Sequence, residues 1–208
     1  ACSAAEARAA FEADPDAAAR PFAAPEGWAP TEGALVRLRP GLDEMKGLRA
    51  GEVAVVTRVY SDGGTLFDVK RLRDGKLEGD ERRIPAADLV HGFDGMLPAA
   101  AALALATSDD AAMALVEATP ADAVGADGRT PLHHAAAFAR SAALARRLLA
   151  FEPAWAKRVD AGGKLPIELM LAQGDTYDDD LAMALVEATP ADAVGADGRT
   201  PLHHAAAF

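Results

Sequence analysis

The stretch Ala112–Phe138, AMALVEATPADAVGADGRTPLHHAAAF, decides the fold of the second half of this chain, because it recurs unchanged at Ala182–Phe208. The identity includes positions that any fold leaves exposed, where substitutions are tolerated, so structural constraint does not explain it. It indicates a very recent duplication or an error of sequence assembly. The two copies lie 70 residues apart, and the sequence between them follows half that period.

Four segments with the pattern Gly-x-x-Pro mark this shorter period. Gly163-Lys-Leu-Pro166 falls 35 residues after Gly128-Arg-Thr-Pro131 and 35 before Gly198-Arg-Thr-Pro201. An earlier segment, Gly95-Met-Leu-Pro98, lies 33 residues before Gly128-Arg-Thr-Pro131. The phased segments predict an array of short stacked units.

Each unit carries the signals of two helices. Thr130 is a good N-cap, and Pro131 suits the first helical position, where its missing N–H costs nothing. Acidic residues after Ser108 and at Asp178 mark the start of a second helix in their units, where they interact favourably with the positive end of the helix dipole. Pro120 marks the end of the helix that follows Ser108. A chain with 52 alanines, a quarter of its residues, favours such closely packed short helices.

The motif DGRTPLHHAA at Asp127–Ala136, with a period of 33 to 35, resembles the ankyrin repeat. The resemblance covers residues 94–208, with units starting near 94, 127, 162 and 197 and the last one truncated. It is most specific in the units near 127 and 197, whereas the other two keep only the Gly and Pro frame and the apolar pattern. It implies an all-α helical solenoid that binds proteins.

Residues 33–93 change to a strand pattern of β-branched runs separated by Gly-rich turns. Their layout resembles the Src-homology-3-like small barrels and, among these, the repeat domains of the mind bomb ubiquitin ligases. The fold class expected for the whole chain is therefore α+β multidomain, a small β-barrel followed by the helical array. The predicted strands are Ala34–Leu38, Glu52–Tyr60, Gly64–Leu72 and Arg82–Ile84.

Residues 1–32 are predicted to be a helix followed by a linker. Ser3-Ala-Ala-Glu6 forms a capping box, and the helix is expected to run to about Ala13. The sequence around Pro15 echoes that around Pro120, which makes this helix a candidate for the end of an earlier repeat.

Composition and charge exclude several classes of function. The chain has 21 basic and 32 acidic side chains, and this net charge of −11 disfavours nucleic acid as a partner. The single cysteine, Cys2, cannot form an internal disulfide, and no signal segment opens the sequence, so we expect an intracellular, cytoplasmic or nuclear location. The most apolar stretch, 96–106, is shorter than the about 20 residues of a membrane span, so no insertion is expected.

The paired histidines invite a metal interpretation that the residues do not favour. Neighbouring helical residues such as His133 and His134 point about 100° apart and cannot chelate one ion together. We therefore expect no metal, no cofactor and no catalytic residues. By the ankyrin resemblance, the first histidine of each pair bonds back to the turn, so the structural turn residues are Thr130, Pro131, His133, Thr200, Pro201 and His203.

The ankyrin resemblance also implies which residues contact a partner on the concave face. The expected function is a non-catalytic scaffold for protein–protein interaction. An alternative, from the mind bomb resemblance, is the substrate-recognition fragment of a ubiquitin ligase. The expected partner-binding residues are Asp127, Arg129, His134, Phe138, Lys164, Leu169, Gln173, Arg199 and His204.

Overall fold

Strands come first along the chain and α-helices follow, so the fold is mixed α+β. The predicted helix ending near Ala13 lies outside the described residues. The computed structural model describes residues 18–23, 26, 28–39, 42, 44–46, 48–49, 53–60, 66–73, 76–93, 95–104, 108–138, 140–172, 178–196 and 198–205.

Five of the strands form one antiparallel sheet in the order β6-β5-β4-β1-β7, and β2 pairs with β3 in a separate ribbon. The ribbon and the last strand, β7, were not among the predicted strands, because two or three residues are too few to show a periodic pattern. The strands are β1 Leu35–Leu38, β2 Glu44–Met45, β3 Leu48–Arg49, β4 Ala54–Val59, β5 Leu66–Arg73, β6 Lys76–Pro85 and β7 Leu89–His91.

The sheet is open among the residues that the structure describes, so the expected closed barrel is not seen. Strands β6 and β7 are its two edges, and no described pairing joins them. Closure requires strands long enough to tilt and stagger around an axis. Strand β7 has only three residues, and all three pair with β1.

Strand β4 contains an irregularity. In the sequence, Val53, Val55, Thr57 and Val59 alternate with Ala54, Val56, Arg58 and Tyr60, which predicts a strand with one buried face. Ala54 and Val56 lie in the core of the sheet, as does the opposite strand's Val69. The pairing with β5 then shifts between Val56 and Arg58, so that Val59 packs against the same core. A bulge of this kind adds one residue to one strand and turns the following side chains to the other face.

The helices form pairs that stack in two layers. In the inner layer α1, α3, α5 and α7 lie side by side, and in the outer layer α2 contacts α4, which contacts α6. A short 3₁₀ helix, Pro153–Lys157, follows α4. The bounds are α1 Pro98–Ala104, α2 Asp109–Ala118, α3 Pro131–Ala137, α4 Ala142–Phe151, α5 Pro166–Leu171, α6 Asp179–Ala188 and α7 Pro201–Ala205.

The turns before the inner helices repeat with the period seen in the sequence. Gly95, Gly128, Gly163 and Gly198 have φ between 71° and 75°, the left-handed region that favours glycine. Successive turns are joined by single backbone hydrogen bonds of 2.8 to 2.9 Å, in which Ala126, Ala161 and Ala196 donate to the preceding turn. At Gly128 a Cβ would lie 2.7 Å from the Ala161 nitrogen, so this turn also needs glycine for close packing.

The sheet packs against the first helical unit. Val53, just before β4, lies in one apolar cluster with Met96, Leu97 and two alanines of α1, Ala100 and Ala104. Leu35, Leu72 and Phe138 pack around this cluster. The two parts of the chain therefore share a core, and the sheet covers one end of the helical array.

Candidate protein-binding surface

The turn before α3 is held by hydrogen bonds between Thr130 and His133. The Thr130 side chain accepts from the His133 backbone N–H, and His133 Nδ1 accepts from the Thr130 N–H at 3.2 Å, which makes a reciprocal cap. The same Thr–His pair recurs in the second copy, where Thr200 Oγ1 lies 2.8 Å from His203 Nδ1. Both turns thus carry the local geometry that their shared sequence predicts.

His133 also connects its unit to the next one. Because Nδ1 accepts from Thr130, the proton resides on Nε2, which donates to the Lys164 carbonyl oxygen at 3.0 Å. Burial lowers the pKa of His133 to about 4, so the imidazole is neutral at physiological pH. A neutral imidazole is the form that can accept on one ring nitrogen while donating on the other.

In the unit near 162, which lacks the TPLH motif, Glu168 occupies the position equivalent to His133. Its carboxylate Oε2 accepts from the Leu165 backbone N–H at 2.5 Å. Glu168 therefore caps α5 from within, as His133 caps α3. Glu168 was not among the site residues predicted from the sequence, although its spacing of 35 residues from His133 was a signal for it.

Arg129, expected to contact a partner, is instead committed to an ion pair between units. Its Nε donates to Asp160 Oδ2 at 3.2 Å, and Asp127 Oδ2 lies 3.9 Å away. Both Arg129 and Asp160 are buried. Burial raises the pKa of Asp127, but the charge of Arg129 and the hydrogen bond from the Arg129 backbone N–H outweigh it and hold that pKa below its ordinary value.

His134, expected in the open groove, is buried, with only 1% of its surface exposed. Its ring stacks on Phe138, with centroids 6.0 Å apart and an interplanar angle of 12°. Neither ring nitrogen has a hydrogen-bond partner in the described part of the chain. Burial lowers the pKa of His134 to about 3, so this imidazole is also neutral.

Part of the sheet lies near the buried His134 and its neighbour Phe138. Phe138 packs around the cluster that joins the sheet to the first unit. Arg37, from β1, lies against the turn at Gly95 and acts electrostatically on both His134 and Asp127. The face of α3 that would be open in an isolated array thus lies beside the sheet.

The remaining expected contact residues differ in exposure. Arg199 is exposed, and Lys164 and Phe138 are partly exposed, whereas Leu169 is buried. Gln173 lies outside the described residues, and for His204 the structure describes only its backbone in α7.

A polar cluster on the sheet consists of Tyr60, Asp68 of β5 and Arg83 of β6. Asp68 is buried, accepts from the Tyr60 hydroxyl at 2.5 Å and pairs with Arg83 at 3.1 Å. The Tyr60 hydrogen bond, with Arg83 adding to it, lowers the pKa of Asp68. Arg83 also lies over the Tyr60 ring, 4.2 Å from its centroid, so its charge is used within the sheet.

The described residues also bear on two other features, a metal centre and a membrane-spanning helix. Within the described ranges, no three His, Cys, Asp or Glu side chains come together in a way that could hold a metal ion. Nor is any helix there long and apolar enough to cross a membrane.

Comparison with known proteins identifies one segment of the chain. No curated protein matched the sequence. Residues 127–156 match the family model described as Ankyrin repeat. This segment spans the turn at Gly128, the helices α3 and α4 and most of the 3₁₀ helix. Ankyrin repeats are typically non-catalytic modules for protein–protein interaction, and residues 127–156 are similar to one such repeat.

Proposed function

We propose that this protein is a non-catalytic scaffold that binds a protein partner on the concave face of its helical array. The observation that carries the proposal is the inner layer of helices, each preceded by a turn of the same conformation, around a segment that matches the ankyrin repeat. Regular stacking of this kind presents equivalent positions side by side. A partner can then be recognised by shape and by a few anchoring side chains.

The part of the concave face proposed to bind the partner lies on the later units, where it is exposed. The sheet packs against the first unit, and Arg129 and His134 are buried, so these two residues support the surface from beneath. Lys164 and Arg199 occupy equivalent turn positions one unit apart and retain exposure. Two cations in line favour a partner segment that bears carboxylates, with Phe138 as an apolar contact at the edge.

Charge reversal at the two turns tests this surface. Partners would be captured from extract with the full chain, purified, and their affinity measured for wild type and for Lys164→Glu/Arg199→Glu. We expect at least tenfold weaker binding of the double variant. The control is Arg146→Glu/Lys157→Glu, which changes the net charge equally at two exposed positions, one in α4 and one in the 3₁₀ helix that follows it. Equal affinities for the two double variants would show that the partner binds elsewhere.

The ubiquitin-ligase alternative gains no support from the comparisons. The described strands of residues 33–93 form an open sheet, and their similarity to a Src-homology-3-like barrel stays a prediction. We propose that the sheet serves the scaffold by covering the first unit, where Val53 and Met96 share a core. An intracellular location remains part of the same proposal.

A further inference from the structure

A short segment that precedes the sheet is bonded to the first turn of the helical array. The Phe22 backbone N–H donates to the Met96 carbonyl oxygen at 2.9 Å, and the Gly95 N–H donates to the Phe22 carbonyl oxygen at 2.7 Å. Along the chain, all seven strands lie between Phe22 and Gly95. The two ends of the stretch that contains the sheet therefore meet at the turn before α1.

The contact of this segment with the first unit extends beyond the turn. Ala18 is fully buried, and its carbonyl oxygen lies 3.4 Å from the Thr119 hydroxyl oxygen at the end of α2. The ring of Phe22 lies beside that of Phe93, with centroids 6.1 Å apart. Residues 18–22 thus contact both the turn and the outer helix of the first unit.

The hydrogen bond from Gly95 to Phe22 resembles the bonds that join successive turns of the array. The next turn donates in the same direction, from Ala126 to the Gly95 carbonyl oxygen, and the turn after it donates from Ala161. In each case one turn donates a backbone N–H to the turn that precedes it. For Gly95, Phe22 takes the place of that preceding turn.

The spacing of prolines and glycines in the sequence fits this assignment. Between the first two units, a proline is followed after seven residues by the end of the loop, then directly by glycine, and three residues later by a second proline. These residues are Pro120, Asp127, Gly128 and Pro131. The same spacing is found, once residues 23–94 are left out, for Pro15, Phe22, Gly95 and Pro98.

A turn is a position at which a fold can accept an inserted module. Its backbone lies at the surface, and few contacts cross it, so additional chain disturbs the packed elements little. The inserted module must begin and end at nearly the same place, as the ends of a compact domain often do. The pair of hydrogen bonds between Phe22 and the turn at Gly95 meets this requirement.

We propose that the sheet is an insertion into a turn of the helical array, and that residues 18–22 belong to the array as the turn before its first unit. The segment before the sheet then supports α1 and α2 directly, although the sheet separates it from them along the chain. This inference concerns the array itself and does not depend on which of its faces binds a partner.

Amide hydrogen exchange of the full chain, resolved by residue, tests the assignment. Ala18→Asp places a charge at a fully buried position and should displace the segment. We expect the exchange rates of the Gly95 and Ala126 amides to rise at least about tenfold, because the first bonds to Phe22 and the second to the turn that Phe22 supports. The Val56 amide, which bonds to Ala34 within the sheet, should change by less than about threefold.

The matched control is Ala23→Asp, the same change at an exposed position directly after Phe22, and it should leave these rates within about twofold of wild type. If Ala18→Asp unfolds the whole chain, Phe22→Ala takes its place. It removes only the ring contact with Phe93 and should raise the Gly95 rate about threefold, with the Val56 rate unchanged.

Two results in a folded variant would overturn the inference. If Ala18→Asp acts no more strongly than Ala23→Asp, residues 18–22 do not support the array. If the Val56 rate rises as much as the Gly95 rate, in Ala18→Asp or in Phe22→Ala, the segment belongs to the sheet and the array has its first turn at Gly95.

Discussion

The duplication allows one stability prediction with a control inside the same molecule. Leu132→Ala and Leu202→Ala are the same change in the same local sequence, Thr-Pro-Leu-His-His. Leu132 is fully buried in the array core, whereas Leu202 is 70% exposed. Any difference between the two variants therefore reports tertiary coverage and not helix propensity or capping.

The expected magnitudes follow from burial. Leu→Ala removes three carbons, and at about 0.8 kcal/mol per buried methylene the lost transfer free energy at Leu132 is about 2.4 kcal/mol. The cavity left in a packed core raises the cost to about 3 kcal/mol. At Leu202 most of the side chain is already in water, so we expect a loss of about 0.5 kcal/mol.

Urea unfolding measures both changes. The signals are helical circular dichroism and tryptophan fluorescence, with Trp28→Phe as the background so that Trp155, the other of the two tryptophans, reports the array alone. Both variants share this background, so its own effect cancels. Equal losses for the two variants would refute the assignment of one copy as covered and the other as uncovered. A loss below about 1 kcal/mol for Leu132→Ala would refute its place in a tight core.

Three further predictions concern single groups. Because burial holds the folded pKa values of His133 and His134 at about 4 and about 3, the unfolded chain binds protons first below pH 6.5. The free energy of unfolding should therefore fall as the pH is lowered from 6.5 to 5, by up to about 1.4 kcal/mol per pH unit for each of the two histidines. Urea midpoints at both pH values should show a shallower fall for His134→Leu, and an unchanged slope would contradict its burial. Arg129→Ala leaves the buried Asp160 carboxylate without the positive charge of Arg129, and should lower the free energy of unfolding by about 3 kcal/mol. A change within error would mean that the ion pair contributes nothing. Trp155→Phe removes the indole hydrogen bond and should cost about 1 kcal/mol by the same assay, whereas an unchanged midpoint would argue against that bond.

Much of the array was predictable because its signals are local. The helix caps act over three or four residues, so Thr130 and Pro131 mark the start of α3 in sequence and in structure. The left-handed turns need glycine whatever surrounds them, which is why Gly95, Gly128 and Gly163 carry the period so clearly. The coarse assignment of an ankyrin repeat segment is confirmed over residues 127–156.

The sheet was less predictable because its register depends on partners. The alternation along Val53–Tyr60 predicts one buried face, but the bulge after Val56 turns the later side chains over. In addition, Val53, just before β4, lies in one apolar cluster with Met96 of the array, so the start of this strand is covered on its other face as well. Neither effect can be predicted from a pattern that extends over eight residues.

The expected contact surface shows the same limit. His134 occupies a position that the ankyrin resemblance assigns to a groove, yet it lies stacked on Phe138 beside a sheet that begins about 100 residues earlier. Its exposure depends on how the two parts of the chain pack. No feature of the sequence around His134 reports that contact.

The sequence by itself determined the period of the array, its caps, its glycine turns and the identity of the two copies. Only the tertiary structure decided that Leu132 is buried and Leu202 exposed, and that Arg129 pairs with Asp160. The physical reason is the separation along the chain between the residues that interact. Caps and turns are satisfied by hydrogen bonds within a few residues, whereas burial is decided by whichever element, 31 residues or more away, comes to lie on top.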